Sequence, residues 1–447
     1  GFDADFIREL EIFESSKGRS CSIHFYNPFA ERYMLDANFQ PGKEMKSITC
    51  DLEILALFLC AKDDLLLCHK RPSLAHLHYL KAAGFCLAEF IEIEKPAELK
   101  SLMKRRFSMF KPWAWSNDSA QIFSTLFSRL SSNSKQSEAS VWNDELKAAA
   151  SKLWSLEFAK SLDSKDNDLI DPSDLGIAAN SLDEILTYIE SHESNSFFIK
   201  AEYGASGQNM IRIKNNTIEP DQAGWINNML KNQSLIVEAE LERVLDFSVQ
   251  CEMTDNLKLI AYTRLKTDQR GQYMGSICGR FAHGLDEQTV QFIYKGQRKA
   301  WLMDYYESQV LPLLEMKLLK IKYRGPLGID AFIYRQDGRL KLKAVVEINL
   351  RYTMGRVAVE LGKQMNSKRI GILEILNKKQ FNGDSMLVAT EKIARQFPLE
   401  IHEGTEKINR GTVLLNDPSQ AENFICTFSI GTDFSVDSLP VRDFFNQ

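Results

Sequence analysis

Residues 344–355 read AVVEINLRYTMG, and Glu347, Asn349 and Arg351 alternate there with Val346, Ile348 and Leu350. Successive side chains of a strand point to opposite faces. The spacing therefore predicts a carboxylate, an amide and a guanidinium on one face and three aliphatic groups on the other. Just upstream, GIDAFIYRQDGRLKLK enters the same strand through Asp337-Gly338, a favoured two-residue hairpin turn. With that turn tight, Asp330 opposes Val345 and lies diagonal to Glu347 on one face, roughly 7–8 Å away at Cα. Two carboxylates and an amide oxygen converging on an apolar sheet call for a cation. Asp330, Glu347 and Asn349 form an all-oxygen donor set suited to Mg²⁺ (or Mn²⁺) bridging carboxylates to phosphates. A solvated strand face with a cross-strand acid–arginine pair accounts for these residues equally well.

Two further groups lie upstream. In FFIKAEYGASGQNMIRI, residues 197–213, Lys200 ends an apolar strand, and Gly204, Ser206 and Gly207 form a loop before the next strand. Glycines let backbone N–H groups approach phosphate oxygens, and a lysine adds charge to the same anion. No GK[ST] opens a helix here, so this is not a Walker A loop, and an ordinary hairpin also explains it. In LIVEAELERVLDFSVQ, residues 235–250, Glu238 closes an apolar strand and Asp246 precedes FSV.

In this order the three pieces resemble the ATP-grasp superfamily, over about residues 151–361. ExNxR (Glu347, Asn349, Arg351) is the most specific of the signals. The resemblance implies an α/β (α+β) chain, with the ATP-grasp fold preceded by a Rossmann-like domain. It implies ATP as cofactor, bound by Lys152 of SKLW, by Lys200, and by the loop of Gly204, Ser206 and Gly207. It sets Glu238, Ala239 and Leu241 at the adenine hinge and Asp246 at the ribose. Asp330, Glu347 and Asn349 fall on the metal ligands; Arg351 and Lys200 fall on catalytic positions serving the transferring phosphoryl group. Two departures stand out: Asp246 replaces the more usual glutamate, and the hairpin from Asp330 to Glu347 is longer than in typical members.

The implied reaction is ATP-dependent carboxylate–amine ligation through an acyl phosphate, releasing ADP and phosphate, on an amino acid or small peptide-like substrate. An ATP-grasp phosphotransferase and a nucleotide-binding non-enzyme are the alternatives. Small-molecule carboxylate and amine substrates are the expected partners, and a homodimer is left open. Arg264, Arg270, Arg280 and His283 are candidates for recognising a carboxylate, although surface charge explains each of them as well.

The remainder of the chain sets bounds on these readings. At 447 residues, 44% hydrophobic and 26% charged, it is too long for one core. Its net charge of −5 gives no general attraction to nucleic acid or anionic membrane, and neither is expected as a partner. The basic-aromatic MKRRFSMFKPWAW, residues 103–115, reads as a solvated helix end leading into a packed linker. The eight cysteines are scattered without CxxC pairs and read as reduced thiols of a cytoplasmic protein. The longest apolar run, residues 54–61, is far short of a membrane span. No secretory signal opens the chain. The missing initiator Met suggests a processed or engineered N-terminus and leaves open the loss of an upstream segment.

The expected organisation is an α/β pre-ATP-grasp-like domain (1–115) and a linker (116–145). A small subdomain with the glycine loop (146–236) and a large subdomain with the metal site (237–365) follow, then a C-terminal segment packed on the core (366–447). The first domain shows a βαβ rhythm in DDLLLCHKRPS, LAHLHYLKAAG and FCLAEFIEIE. His76 and His78 lie at i, i+2 on that helix, the wrong spacing for a metal pair, and read as packing or surface residues.

Overall fold

The computed structural model describes residues 20–163, 165–204, 209–268, 272–435 and 438–447. The chain forms two compact units. One comprises Gly1–Trp142, Met274–Phe281 and Arg351–Gln447; the other comprises Asn143–Tyr273 and Ala282–Leu350. No helix among the described residues is long and apolar enough to cross a membrane.

The first unit contains a parallel sheet with strand order Glu89–Glu92, Leu65–Cys68, Ser22–Phe25, Met109–Pro112. The Leu65–Cys68 strand, LLLC, is buried throughout, as a parallel strand covered on both faces must be. Helix Leu74–Ala82 follows it. Its start is capped by the Ser73 hydroxyl, which accepts from the His76 N–H, and the chain leaves it through Gly84 at φ +91°. His76 is buried, with Nε2 3.0 Å from the Leu415 carbonyl, which is a packing role. Phe110 and Phe123 stack at 4.7 Å in the core below the sheet. The same unit holds antiparallel strands in the order Tyr273–Cys278, Ile370–Asn377, Phe424–Gly431, Ile408–Leu414, Glu400–Ile401. The C-terminal segment thus shares a compact unit with the N-terminal α/β sheet.

The second unit carries two antiparallel sheets. The small one runs Ile177–Ala179, Leu235–Ala239, Ser196–Ala201, Met210–Lys214. Phe197, Ile199 and Ala201 turn to a core shared with Ile185, Ile189 and Ile226 of the covering helices, which sends Lys200 to the opposite face. The large sheet runs Arg339–Asn349, Gly325–Gln336, Glu242–Met253, Leu257–Thr267. Asp337 and Gly338, at φ +51° and +75°, form the tight turn that the Asp-Gly pair predicts.

The register departs from expectation at the acids. Near the turn, Phe332 pairs with Lys343 as a two-residue loop requires, but Asp330 then pairs with Glu347 rather than Val345. Residues 344–346 bulge opposite Ala331, shifting the ladder by two residues and setting the carboxylates directly across from one another.

Candidate functional site

Directly opposed carboxylates repel, so the Asp330/Glu347 pair persists only with compensation. Asn349 supplies part of it, its Nδ2 donating to Asp330 Oδ2 at 3.0 Å. That bond turns the amide nitrogen onto the acid, so Oδ1 is the end that could hold a cation. Lys152 supplies another part: its Nζ lies 3.0 Å from Glu347 Oε1 and also donates to the Gly204 carbonyl. The position of Lys152 has a local cause. The helical pattern across 144–160 is broken, and Ser151 starts a new helix, Lys152–Lys160, by accepting from the Trp154 N–H. The Ser155 hydroxyl, one turn on, accepts from the Ile348 N–H at 2.9 Å and ties this helix to the acid-bearing strand.

A second charged cluster lies on the small sheet. Lys200 pairs with Glu238, and the other oxygen of Glu238 lies 2.7 Å from the Lys343 Nζ. Burial pushes the Lys200 ammonium below its usual pKa, although Glu238 works in the opposite direction. Burial also opposes the charge on Glu238, but the two lysines outweigh it and hold its carboxyl below the ordinary range. Lys152, Lys200, Glu238, Lys343 and Glu347 all line one cleft. Three lysines against two glutamates leave it one net positive charge. Val345 and Val346 both line it although they are consecutive, which the bulge permits.

Lys343 is absent from the residues singled out in the sequence. Its signal was available: in LKLKAVVE it sits four residues before Glu347, an even spacing that shares a strand face. A buried polar row was also missed. Across the large sheet the register runs Glu347, Asp330, Ser248, Thr263, and Gln250 Nε2 donates to the Ser248 hydroxyl at 2.9 Å. Directly paired residues share a face, so Ser248, Gln250 and Thr263 continue the surface bearing the two acids.

Other expected residues have different surroundings. The acid-bearing strand ends at Asn349, so the alternation that would carry Arg351 onto the same face stops short of it. Arg351 belongs to the first unit, where its Nε lies 3.2 Å from Glu31 Oε1 and its Nη1 donates to the Tyr352 carbonyl. Asp246 accepts from Arg243 at 2.9 Å, and Arg243 lies 4.3 Å above the Phe332 ring. Ala239 ends the Leu235–Ala239 strand and, with Leu241, belongs to the link between the two sheets of the second unit. Arg264 is buried and donates to the His283 carbonyl at 2.7 Å, so it holds backbone. Arg280 is exposed in the first unit. Ser206, Gly207 and Arg270 lie outside the described residues.

No family model matches the chain. No curated protein matches it either. Among solved structures it is similar to an N5-carboxyaminoimidazole ribonucleotide synthetase in its ADP complex, with TM-score 0.50 and 11% identity over 96% of this chain and 98% of that one. The chain has the ATP-grasp fold. An N5-carboxyaminoimidazole synthetase from Staphylococcus aureus superposes with TM-score 0.46 at 12% identity, covering 93% of this chain and 94% of that one. A biotin carboxylase from Campylobacter jejuni gives 0.45 at 12% identity, covering 93% and 88%. At these identities the likeness concerns the ATP-grasp fold itself, and the chemistry must be argued from the side chains.

Proposed function

We propose that this ATP-grasp protein is an ATP-dependent carboxylate–amine ligase that works through an acyl phosphate on an amino acid or small peptide-like substrate. The observation that carries the reading is the Lys152–Glu347 ion pair in the cleft that also holds Lys200, Glu238 and Lys343. An anion-binding lysine and a cation-binding acid here serve as each other's partner. A polyphosphate with its counter-cation offers each a better one. The ADP-bound synthetase of the same fold supports an adenine nucleotide as that ligand.

On this reading Lys152, Lys200 and Lys343 hold the triphosphate by charge in a partly dry cleft, where their attraction is stronger than in water. Backbone groups of Ala239 and Leu241 meet the adenine, and Asp246 meets the ribose. The oxygen-only set of Asp330, Glu347 and Asn349 fits Mg²⁺, which when bound neutralises charge on the phosphates. A substrate carboxylate oxygen attacks the γ-phosphorus and the bond to ADP breaks. The amine nitrogen then attacks the acyl carbon, phosphate leaves with the bonding pair, and the amine gives up a proton.

The test is thermal unfolding of wild type and Glu347→Ala with and without Mg·ATP. At about 100 times its dissociation constant, a ligand stabilises by roughly 2.7 kcal/mol. The expected result is a Mg-dependent rise in Tm in the wild type that the variant loses. No rise in the wild type at millimolar Mg·ATP would sink the nucleotide reading. Product analysis over a panel of carboxylates and amines then separates the chemistry: a ligase frees inorganic phosphate, whereas phosphate retained on the substrate would replace the ligase by a phosphotransferase.

A further inference from the structure

We propose that Cys50, Glu53 and His69 form a binding site for a thiophilic divalent metal ion, zinc foremost, in the first unit. This proposal is independent of the nucleotide reading. Cys50 lies in helix Lys43–Leu52, and Glu53, three residues on, opens the short 3₁₀ turn Glu53–Leu59. A spacing of three sets both side chains on one side of the helical path. His69 directly follows the Leu65–Cys68 strand, so the fold itself joins residues that no motif spacing links. One sulfur, one carboxylate oxygen and one imidazole nitrogen from these side chains lie within 4.8 Å of each other. Tetrahedral zinc, with bonds of about 2.0–2.3 Å, needs ligand atoms roughly 3.5 Å apart, so on binding the Glu53–His69 contact opens from 2.8 Å to admit the ion.

Two of the three ligands are already oriented. Glu53 is only 3% exposed, and its carboxylate accepts from the backbone N–H groups of His69 at 3.0 Å and Lys70 at 3.1 Å. Its Oε2 also lies 2.8 Å from His69 Nδ1. The acid thus fixes the imidazole, and the ion takes the place of the proton between them. That proton moves to Nε2, and the Cys50 thiol releases its own on binding. Cys50 is exposed, which gives an ion access. A small open pocket, lined by Cys50, Glu53, Lys70 and Asp417 among others, lies beside the group. Three protein ligands next to open space leave a fourth position for water or a small ligand, the pattern of accessible rather than closed zinc sites. A mixed sulfur, nitrogen and oxygen set selects zinc or cobalt over magnesium.

The experiment is a Co²⁺ titration of the full chain, read by absorption. Cobalt bound through a thiolate shows a near-ultraviolet charge-transfer band that the oxygen-only acids of the nucleotide cleft cannot produce. We expect that band to saturate at one equivalent, to be displaced by Zn²⁺, to vanish in Cys50→Ser, and to persist in Cys86→Ser and Glu347→Ala. His69→Ala should weaken zinc binding at least tenfold. A wild type without the band overturns the proposal, as does a band that survives in Cys50→Ser. Circular dichroism of each variant establishes that the fold is retained. Because Glu347→Ala is among the variants, failure of this site and failure of the nucleotide site are read separately.

Discussion

Replacing Glu238 by Gln preserves the shape of the side chain and removes its charge, so that two ammonium groups face an amide. The side chains of Lys200, Glu238 and Lys343 are 12%, 7% and 4% exposed, which makes the cluster an interior one. Removing one member of a buried ion pair costs about 3–5 kcal/mol, chiefly because the remaining charge stays desolvated. The cleft beside the cluster admits some solvent, so we expect about 3 kcal/mol, or roughly 6–12 °C in Tm for a domain of about 150–250 residues. The sign of the pH dependence follows from the depressed folded-state pKa of Glu238. Its contribution is present above the ordinary value of 4.5 and fades as pH falls below that toward the folded value. The gap between wild type and variant is therefore widest near pH 7 and narrows in acid. Urea unfolding at pH 7 and at stepwise lower pH measures it. Saturating Mg·ATP should also raise the variant's Tm more than the wild type's, because the triphosphate replaces the missing negative charge. A loss under about 0.5 kcal/mol at pH 7, the level of a surface substitution, would refute the reasoning, as would a gap that does not change with pH.

Two other expectations concern single residues. Glu374 is fully buried and accepts from the backbone N–H groups of Val441 and Arg442 at 3.0 Å; burial raises its pKa from 4.5 to about 7. A raised folded value means that stability is lost as pH climbs from about 4.5 through 7, so wild-type Tm should decline over that window while Glu374→Gln shows a flatter profile. Ser151→Ala should lose about 1 kcal/mol of stability with the helix cap. It should also weaken Mg·ATP binding several-fold by calorimetry, since the cap sets the helix turn that carries Lys152; unchanged affinity would mean that the cap does not position this lysine.

The parts of this molecule that could be read from its amino acids are those governed by short-range geometry. Asp337-Gly338 marks its turn because both residues must adopt positive φ, a demand met locally. The alternation through Glu347 and Asn349 and the run of Leu65–Cys68 followed by a capped helix likewise depend on periods of two and 3.6 residues within one segment. Tertiary structure decided the rest. The bulge at 344–346 that pairs Asp330 with Glu347 depends on how two strands settle against each other, and a plain turn-counting register misses it by two residues. Arg351 lies past the end of its strand and meets Glu31, a partner far away in sequence. Lys343 gains its importance only because Glu238, on another sheet, reaches its ammonium group. The Cys50, Glu53 and His69 group forms only where a helix end and a strand end come together. Charge pairs of this kind are chosen by packing and desolvation across distant segments, and no local pattern in the chain encodes which groups will meet.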